Sequence, residues 1–501
     1  MKLSKTSNLL IAIAAAGLFS LAACSDLLEP QVYSELAPET FFNSESDFNQ
    51  AIIALYSPFT TDWGTNDPGD GVWSAALYNA DPKSYLGQSM ITTDELYAPD
   101  HPAFNNFTWG PATMSIDGSG DVFAATFVKA RFIARATDVI DQISNSDADV
   151  SQAVKDRFIA EARALRAWTM YTIYDFHGPI PVKLDPLSLH DTHIEPRPNK
   201  EDYLLQVEED LLAAIPNLPP RYNNDPDNWG RVSQASARMV LLRMYMNEHE
   251  WEKAEDVARD IMDMGFDLLP NYANVFNQPR NNEMIFAIPA SEGSPNYWTA
   301  EVVPSNYASG IENLTTPGWN VYYMPWAFYD NFDDEDTRLG TIAVTYTNSR
   351  GNQVTRTSGM QGAIPLKFTG GLSGNPGQGL PFDQPVFRYA EVLLSLAEAI
   401  NEQRGPGDAY QYVNQIRNRA NMDDFEGLTQ DQFREEILME RGRELYGEGT
   451  RRMDLIRHGK FIENAQQRGV NNAQPHHVLF PIPEAVIVQS AGVIQQNPGY
   501  N

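Results

Sequence analysis

The sequence predicts a mostly α protein, built from helical pairs that enclose two long irregular regions. Two observations predict this. Apolar residues recur at helical spacing over residues 121–146, 151–176, 199–214 and 231–265, and again from 385 onward. Between these runs, residues 58–120 and 268–383 lose the periodicity and fill with Gly, Pro, Asn and Asp, with Trp and Tyr interspersed. Irregular stretches of that length in a folded chain are often functional.

The elements follow in order. Lys2 and Lys5 precede a short apolar run, Leu9 to Phe19, and Leu21-Ala22-Ala23 leads into Cys24, the chain's only cysteine. A basic region, an apolar core and small residues at the cut are the layout of an export signal, and the run is too short for a comfortable membrane span. A lone cysteine forms no internal disulfide, so its placement is read as a modification site. Leu-Ala-Ala-Cys resembles the lipobox of bacterial lipoproteins, in which the cysteine becomes the N-terminus and carries lipid. Residues 1–23 are therefore expected to be a signal peptide, Cys24 a lipid anchor, and residues 24–501 a single domain. Within it, 24–270 is read as an N-terminal helical part holding the loop-rich stretch 58–120, 271–383 as a loop-rich insert, and 384–501 as a C-terminal helical part.

"SESDFNQAIIALYSPF" opens the first helix, with Phe48, Ile52 and Leu55 on one face. The helix of 151–176 stops at Gly178-Pro179. Ala237, Leu241 and Tyr245 line one helix of a close pair, and Trp251, Ala254, Ala258 and Ile261 line the other. Small residues at that spacing allow close antiparallel packing, and the pair is similar to a tetratricopeptide unit. Short strands are expected at 284–288 and 341–346, and the Pro-bounded end, 476–501, is expected to dock on the core.

Composition bounds the ligand. The chain of 501 residues carries a net charge of −30, which repels phosphate backbones and argues against nucleic acid as a partner. There are 9 Trp, 22 Tyr and 24 Phe, many of them in loop-like sequence. The loop aromatics are Trp63, Trp73, Tyr78, Tyr85, Trp109, Tyr297, Trp298, Trp319, Tyr322 and Trp326. Gly, Asn or Pro neighbours suggest exposed loops for Trp73, Trp298 and Trp319.

Other motifs carry less. Glu440, Arg441, Arg443 and Glu444 are read as an ion-pair network rather than paired acid and base, as is Glu161 with Arg163 and Arg166. "FDDEDTR" (332–338) and "NNDPDNWG" (223–230) cluster oxygen ligands, so calcium is conceivable, but neither has the spaced pattern of a calcium loop; no cofactor is expected. No H-E-x-x-H and no G-x-S-x-G occurs, and the Gly-rich run 369–379 lacks the Lys-Ser/Thr of a phosphate loop.

Several stretches together carry a family likeness. They are "CSDLLEP", "ITTDELYAP", "AEARALRAWTMYTIYDFHGPIPV", "GRVSQASARMVLLRMYMNEHEWEKAEDVARDIMDMG", "RYAEVLLSLAEAINEQRG", "ILMERGRELYGEGTRRMDLIRHGKF" and "PIPEAVIVQSAGVIQQNPGY". In this order they resemble the SusD/RagB family of outer-membrane lipoproteins. The resemblance implies a tetratricopeptide-like α-α superhelix and a cell-surface, lipid-anchored, non-catalytic protein. It also implies that the protein binds an oligo- or polysaccharide and delivers it to a SusC-like TonB-dependent barrel transporter. An exposed aromatic ring is a flat, rigid platform for the apolar face of a sugar, while Asn, Asp, Gln and Arg bond its polar rim. The candidate glycan-binding residues under this resemblance are Trp73, Tyr78, Trp109, Tyr297, Trp298, Trp319, Tyr322 and Trp326, with Trp73, Trp298 and Trp319 leading, and segments 58–120 and 290–330 are expected to form the capture surface. Alternatives left open are a peptide cargo, a pure transporter-lid adaptor, and a glycoside hydrolase.

Overall fold

The computed structural model describes residues 41–61, 76–116, 122–291, 293–312, 314–368 and 379–500. The helices that carry the frame are α1 (Glu45–Leu55), α2 (Tyr85–Ile91), α3 (Arg131–Asn145), α4 (Gln152–His177), α5 (Lys200–Ala214), α6 (Gln234–Asn247) and α7 (Trp251–Met262). They continue with α8 (Trp298–Val302), α9 (Tyr389–Arg404), α10 (Tyr410–Arg419), α11 (Gln430–Leu445) and α12 (Arg451–Arg457). Each helix packs on its neighbours along the chain: α3 on α4, α4 on α5, α6 on α7, then α7 on α9 and α9 on α10 and α11. That serial packing is the expected mostly α, tetratricopeptide-like arrangement. Ala254 and Ala258 of α7 and Ala390, Ala397 and Ala399 of α9 are fully buried, which lets these backbones approach.

Local sequence sets the helix ends. Ser233 and Ser236 form a capping box at α6, and Thr429 and Gln432 form one at α11. α4 ends where Gly178 takes a φ of 71°, its N–H donating to the Tyr174 carbonyl, as the Gly-Pro pair predicts.

The strands are short: β1 (Met284–Ile288), β2 (Tyr307–Ser309), β3 (Ile342–Ala343), β4 (Thr345–Asn348), β5 (Gln353–Thr355), β6 (Ile364–Pro365) and β7 (Gln384–Arg388). β1 pairs antiparallel with β7, β4 lies between β2 and β5, and β3 pairs with β6. β7 is a correction, because the helical pattern was expected to resume at 385. Pro385 and the apolar Val386 and Phe387 instead make a fully buried strand, and the helix starts at Tyr389.

The core centres on Trp168 of α4, whose ring meets Phe59, Phe286 and Phe387 at centroid distances of 4.6, 5.1 and 4.9 Å. The far end of the chain docks on it as expected: Phe480 N–H donates to the Phe176 carbonyl at 2.6 Å, and Trp109 Nε1 donates to the Tyr500 hydroxyl at 2.9 Å.

A buried charge network fastens the loop-rich layer to the C-terminal helices. Arg338 bonds Asp336, Glu440 and Glu444, and Arg388 bonds Glu283, Glu444 and Glu448. Arg441 reaches Asp454 at 2.9 Å, and Arg443 reaches Glu440 at 2.6 Å. The charge-dense segment is thus structural. Glu161, however, pairs with Arg231, while Arg163 and Arg166 both bind Asp210. Burial opposes ionisation of Glu440, but Arg338, Arg443 and Arg417 outweigh it and hold its carboxyl down at about 2.

Candidate functional site: an aromatic rim beside a polar cleft

The site is built on α8 and the segment that returns over it. Asn296 Oδ1 accepts the Trp298 N–H at 2.9 Å, which starts the helix. The two residues at that start then diverge. Trp298 turns inward, fully buried, with its ring 5.1 Å from Phe368 and its Nε1 donating to the Pro365 carbonyl. Tyr297 stays at the surface and stacks on Trp319, with centroids 5.5 Å apart and planes 21° apart.

Residues 318–324 run across the carbonyl end of α8, turning at Asn320, which takes a left-handed φ of 60°. Trp319 N–H donates to the Ala300 carbonyl at 2.6 Å and Val321 N–H to that of Glu301 at 2.6 Å. Gly318 makes the approach possible: a Cβ there would sit 2.5 Å from the carbonyl oxygens of Ala300 and Val303. The side chains then divide between surface and core. Trp319 is 42% exposed and Tyr323 half-buried, while Tyr322 and Met324 are fully buried. Tyr322 donates its hydroxyl to the Ala80 carbonyl at 2.8 Å, so it anchors the layer from below.

Tyr323 pairs through its backbone with Tyr97, and the two rings stack at 5.3 Å and 28°. Gly362 leaves room for this ring, since a Cβ there would lie 2.3 Å from Tyr323 Cδ2. Beside it opens a cleft of about 300 Å³ lined by Ser305, Asn306, Asn320, Tyr323, Tyr346 and Gln361, among others. The Tyr346 hydroxyl donates to Asn306 Oδ1 at 2.9 Å, which fixes that amide with its NH₂ as the donor end. The arrangement is two stacked aromatic pairs with neutral amides and hydroxyls between them.

Sequence-predicted residues divide accordingly. Tyr297 and Trp319 come together at the surface. Trp326 is half-buried, its Nε1 donating to the Met360 carbonyl and its ring under Arg356, which pairs with Asp330. Tyr78, Trp109, Trp298 and Tyr322 do not have the exposure expected of them: all four are buried. Tyr78 accepts the Trp168 Nε1 at 3.0 Å and sits in the same aromatic cluster as Tyr85. These rings plug irregular chain onto helices. Residues 76–96 are for the same reason not an open capture surface, since they are buried almost throughout and include α2. Trp63, Trp73 and Cys24 lie outside the described residues. Tyr97 and Tyr323 were not foreseen. No run of fixed period separates them from their buried neighbours, because the chain turns at Asn320 with a φ of 60°.

Among the described residues no group of three or more His, Cys, Asp or Glu is placed to hold a metal ion. Asp336 is committed to Arg338, and Asp225 to the backbone and side chain of Asn228.

Comparison with known proteins agrees with this architecture. The SusD family model matches residues 344–500. SusD-like protein P25 of Formosa agariphila is 27% identical over 93% of this chain and 94% of its own length. The chain is thus similar over most of its length to SusD-like proteins. The starch-binding protein SusD of Bacteroides thetaiotaomicron is 24% identical over 80% of this chain and 81% of that protein. Among solved structures, surface glycan-binding protein A of Bacteroides thetaiotaomicron in complex with laminarihexaose superposes with a TM-score of 0.70 at 22% identity. That match covers 90% of this chain and 99% of the other, so the fold is shared end to end.

Proposed function

We propose that this SusD-like chain is a non-catalytic, lipid-anchored surface protein that captures a glycan and hands it to a SusC-like TonB-dependent barrel. The Tyr297–Trp319 pair carries the reading. Two large rings stacked at the surface expose apolar area that a soluble protein ordinarily covers, and a sugar face is a ligand of matching shape and chemistry. The Tyr97–Tyr323 pair and the amide-lined cleft extend the platform along the same segment. Both pairs hang on residues 319–323, so by chain reach they lie within roughly 14 Å of each other along the backbone. One oligosaccharide is long enough to touch both.

The relatives' names support this reading: one is starch-binding and one was solved with laminarihexaose. The lipobox-like Leu-Ala-Ala-Cys24 supports the anchor, and no helix among the described residues is long and apolar enough to cross a membrane. Glu301, four residues after Tyr297, is fully buried, and Asp330, seven after Tyr323, is ion-paired with Arg356, so neither is a free carboxylate at the rim.

The test is a panel of neutral oligosaccharides, starch- and laminarin-derived chains included, titrated by calorimetry into the detergent-solubilised full chain and its Trp319→Ala variant. Binding of one glycan class, weakened at least about tenfold in the variant, about 1.4 kcal/mol, is the expected result. Equal binding by both proteins removes the rim from the mechanism, and no binding to any glycan overturns the cargo.

A further inference from the structure

Three arginines, Arg157, Arg221 and Arg231, line one cleft far from the aromatic rim in sequence. The cleft, about 490 Å³, is lined by the start of α1 (Glu45, Ser46, Asn49), by Arg157 and Phe158 of α4, and by the turn that includes Arg221, Tyr222, Asp225, Asn228 and Arg231. A protein of net charge −30 places few cations together, and here each plays a different part.

Arg231 is the fixed one. It donates to Asn49 Oδ1 at 2.8 Å and to the buried Glu161 at 2.7 Å, so its charge is compensated. Arg157 is loosely held: its pair with Glu45 is 3.1 Å long, with the two side chains 41% and 56% exposed, an interaction that water and ions readily replace. Arg221 differs from both. Its guanidinium lies over Phe266, 4.6 Å from the ring centroid, and donates to the carbonyls of Met264 and Gly265 and to Asn282 Oδ1. Among the described residues no carboxylate pairs with it. Burial draws its pKa down, with Asp267 opposing from beyond ion-pair range and one Asp267 oxygen accepting the Asn282 amide. Arg221 is thus a positive charge held rigid by neutral acceptors and lacking an anion.

Tyr222 and Asn228 supply further polar groups to the wall. Burial and then Glu161 push the Tyr222 hydroxyl up to about 12, against Arg231 and Arg157, so it stays a protonated donor at neutral pH. The carboxylates on the wall are Glu45, which the loose Arg157 pair holds at the rim, and Asp225, whose oxygens accept from Asn228 N at 3.3 Å and Nδ2 at 2.9 Å. Guanidinium forks suit planar carboxylates and tetrahedral sulfate or phosphate alike. The volume falls in the range of small-ligand sites and admits a sugar ring bearing one such group.

We propose that this cleft is a second binding site, distinct from the aromatic rim, for an oxyanion: a carboxylate, sulfate or phosphate group, free or carried on a sugar. Arg221 supplies the uncompensated charge, Arg157 swings from Glu45 to close on the anion, and Tyr222 donates to it. The site stands whether or not the rim binds neutral glycan.

The experiment titrates the detergent-solubilised full chain with sodium sulfate, sodium phosphate, glucuronic acid and glucose 6-sulfate, with glucose as the uncharged control. The same series is run on Arg221→Gln, Arg157→Gln and Trp319→Ala. Saturable binding of an anion but not of glucose is expected. It should fall at least about tenfold in Arg221→Gln and about threefold in Arg157→Gln, and stay unchanged in Trp319→Ala. Inorganic ions binding as tightly as the sugar acids assign the site to a free anion, and tighter sugar acids assign it to a substituted sugar. Arg157 is a surface residue, so its variant folds and keeps the test decisive if Arg221→Gln does not fold. Absence of saturable anion binding to the parent protein, or equal binding by both Arg variants, overturns the proposal. Loss in Trp319→Ala alone would move the anion to the rim and overturn the second site.

Discussion

Residues 76–98 and 297–326 are written in much the same vocabulary, Tyr, Asn, Pro and small residues with little periodicity, yet they do opposite things. The first is buried nearly throughout and wedges Tyr78 and Tyr85 against α4. The second shows solvent the faces of Trp319 and Tyr297 while burying Trp298 and Tyr322. Composition marks both as irregular but says nothing of exposure. Backbone partners decide that: a segment held on the carbonyl end of a short helix by its own N–H groups leaves part of its side chains outside, whereas a loop that contributes its carbonyls and hydroxyls to the core leaves almost none.

The comparison breaks most readily at Trp298. Trp298→Ala is expected to destabilise by about 3–5 kcal/mol in guanidinium denaturation, because it empties a fully buried site. Trp319→Ala should stay within about 0.5 kcal/mol of the parent while losing ligand. A well-folded Trp298→Ala would mean that the inner half of the segment is as dispensable to the fold as the outer half. Glu444→Gln is expected to cost about 3–5 kcal/mol, since it leaves Arg388, Arg419 and Arg338 facing a neutral group inside the protein.

The same network sets the acid limit. Glu440 ionises at about 2 in the fold and near 4.5 in the open chain. Its stabilisation is therefore present above about pH 4.5 and lost as pH falls toward 2, and a fluorescence-monitored acid titration should show the transition in that window. Glu95, two residues before Tyr97, has the opposite sign. Burial pushes its carboxyl up to about 8 against the pull of Arg451, so the fold favours the protonated form and loses stability as pH rises from about 4.5 to 8. Glu95→Gln should therefore melt higher than the parent at pH 8 and equal to it at pH 4. At the rim, Tyr323→Ala should weaken glycan binding by about fivefold, less than Trp319→Ala, since its ring is the less exposed of the two. A larger loss than in Trp319→Ala would place the main platform at the Tyr97–Tyr323 pair.

Much of the frame was legible. Helical spacing around Phe158, Ala162 and Leu165, the Gly178-Pro179 stop and the alanines of α7 and α9 fixed where helices run and how closely they pack. The charge-dense 440–455 read as structural because the family resemblance places it in the scaffold, and the fold supplies Arg338 and Arg388 as its partners from distant segments. The site was half legible. Tyr297 and Trp319 were named, but so were the buried Tyr78, Trp109, Trp298 and Tyr322, because inward and outward aromatics look alike when no helix sets the period. Tyr97 escaped notice because its exposure depends on pairing with Tyr323, more than two hundred residues away.

The bond between Trp109 and Tyr500 spans 391 positions, and Phe480 lies against Phe176. A chain that emerges from a pore N-terminal side first can build α3 to α7 as it arrives, but it cannot seal the space around Trp109 until residues 475–500 are delivered. Closure is a late, long-range event, slow for reasons of loop entropy. Until then the exposed aromatic seam is a natural handle for a holding chaperone, and the last stretch to arrive acts as the latch.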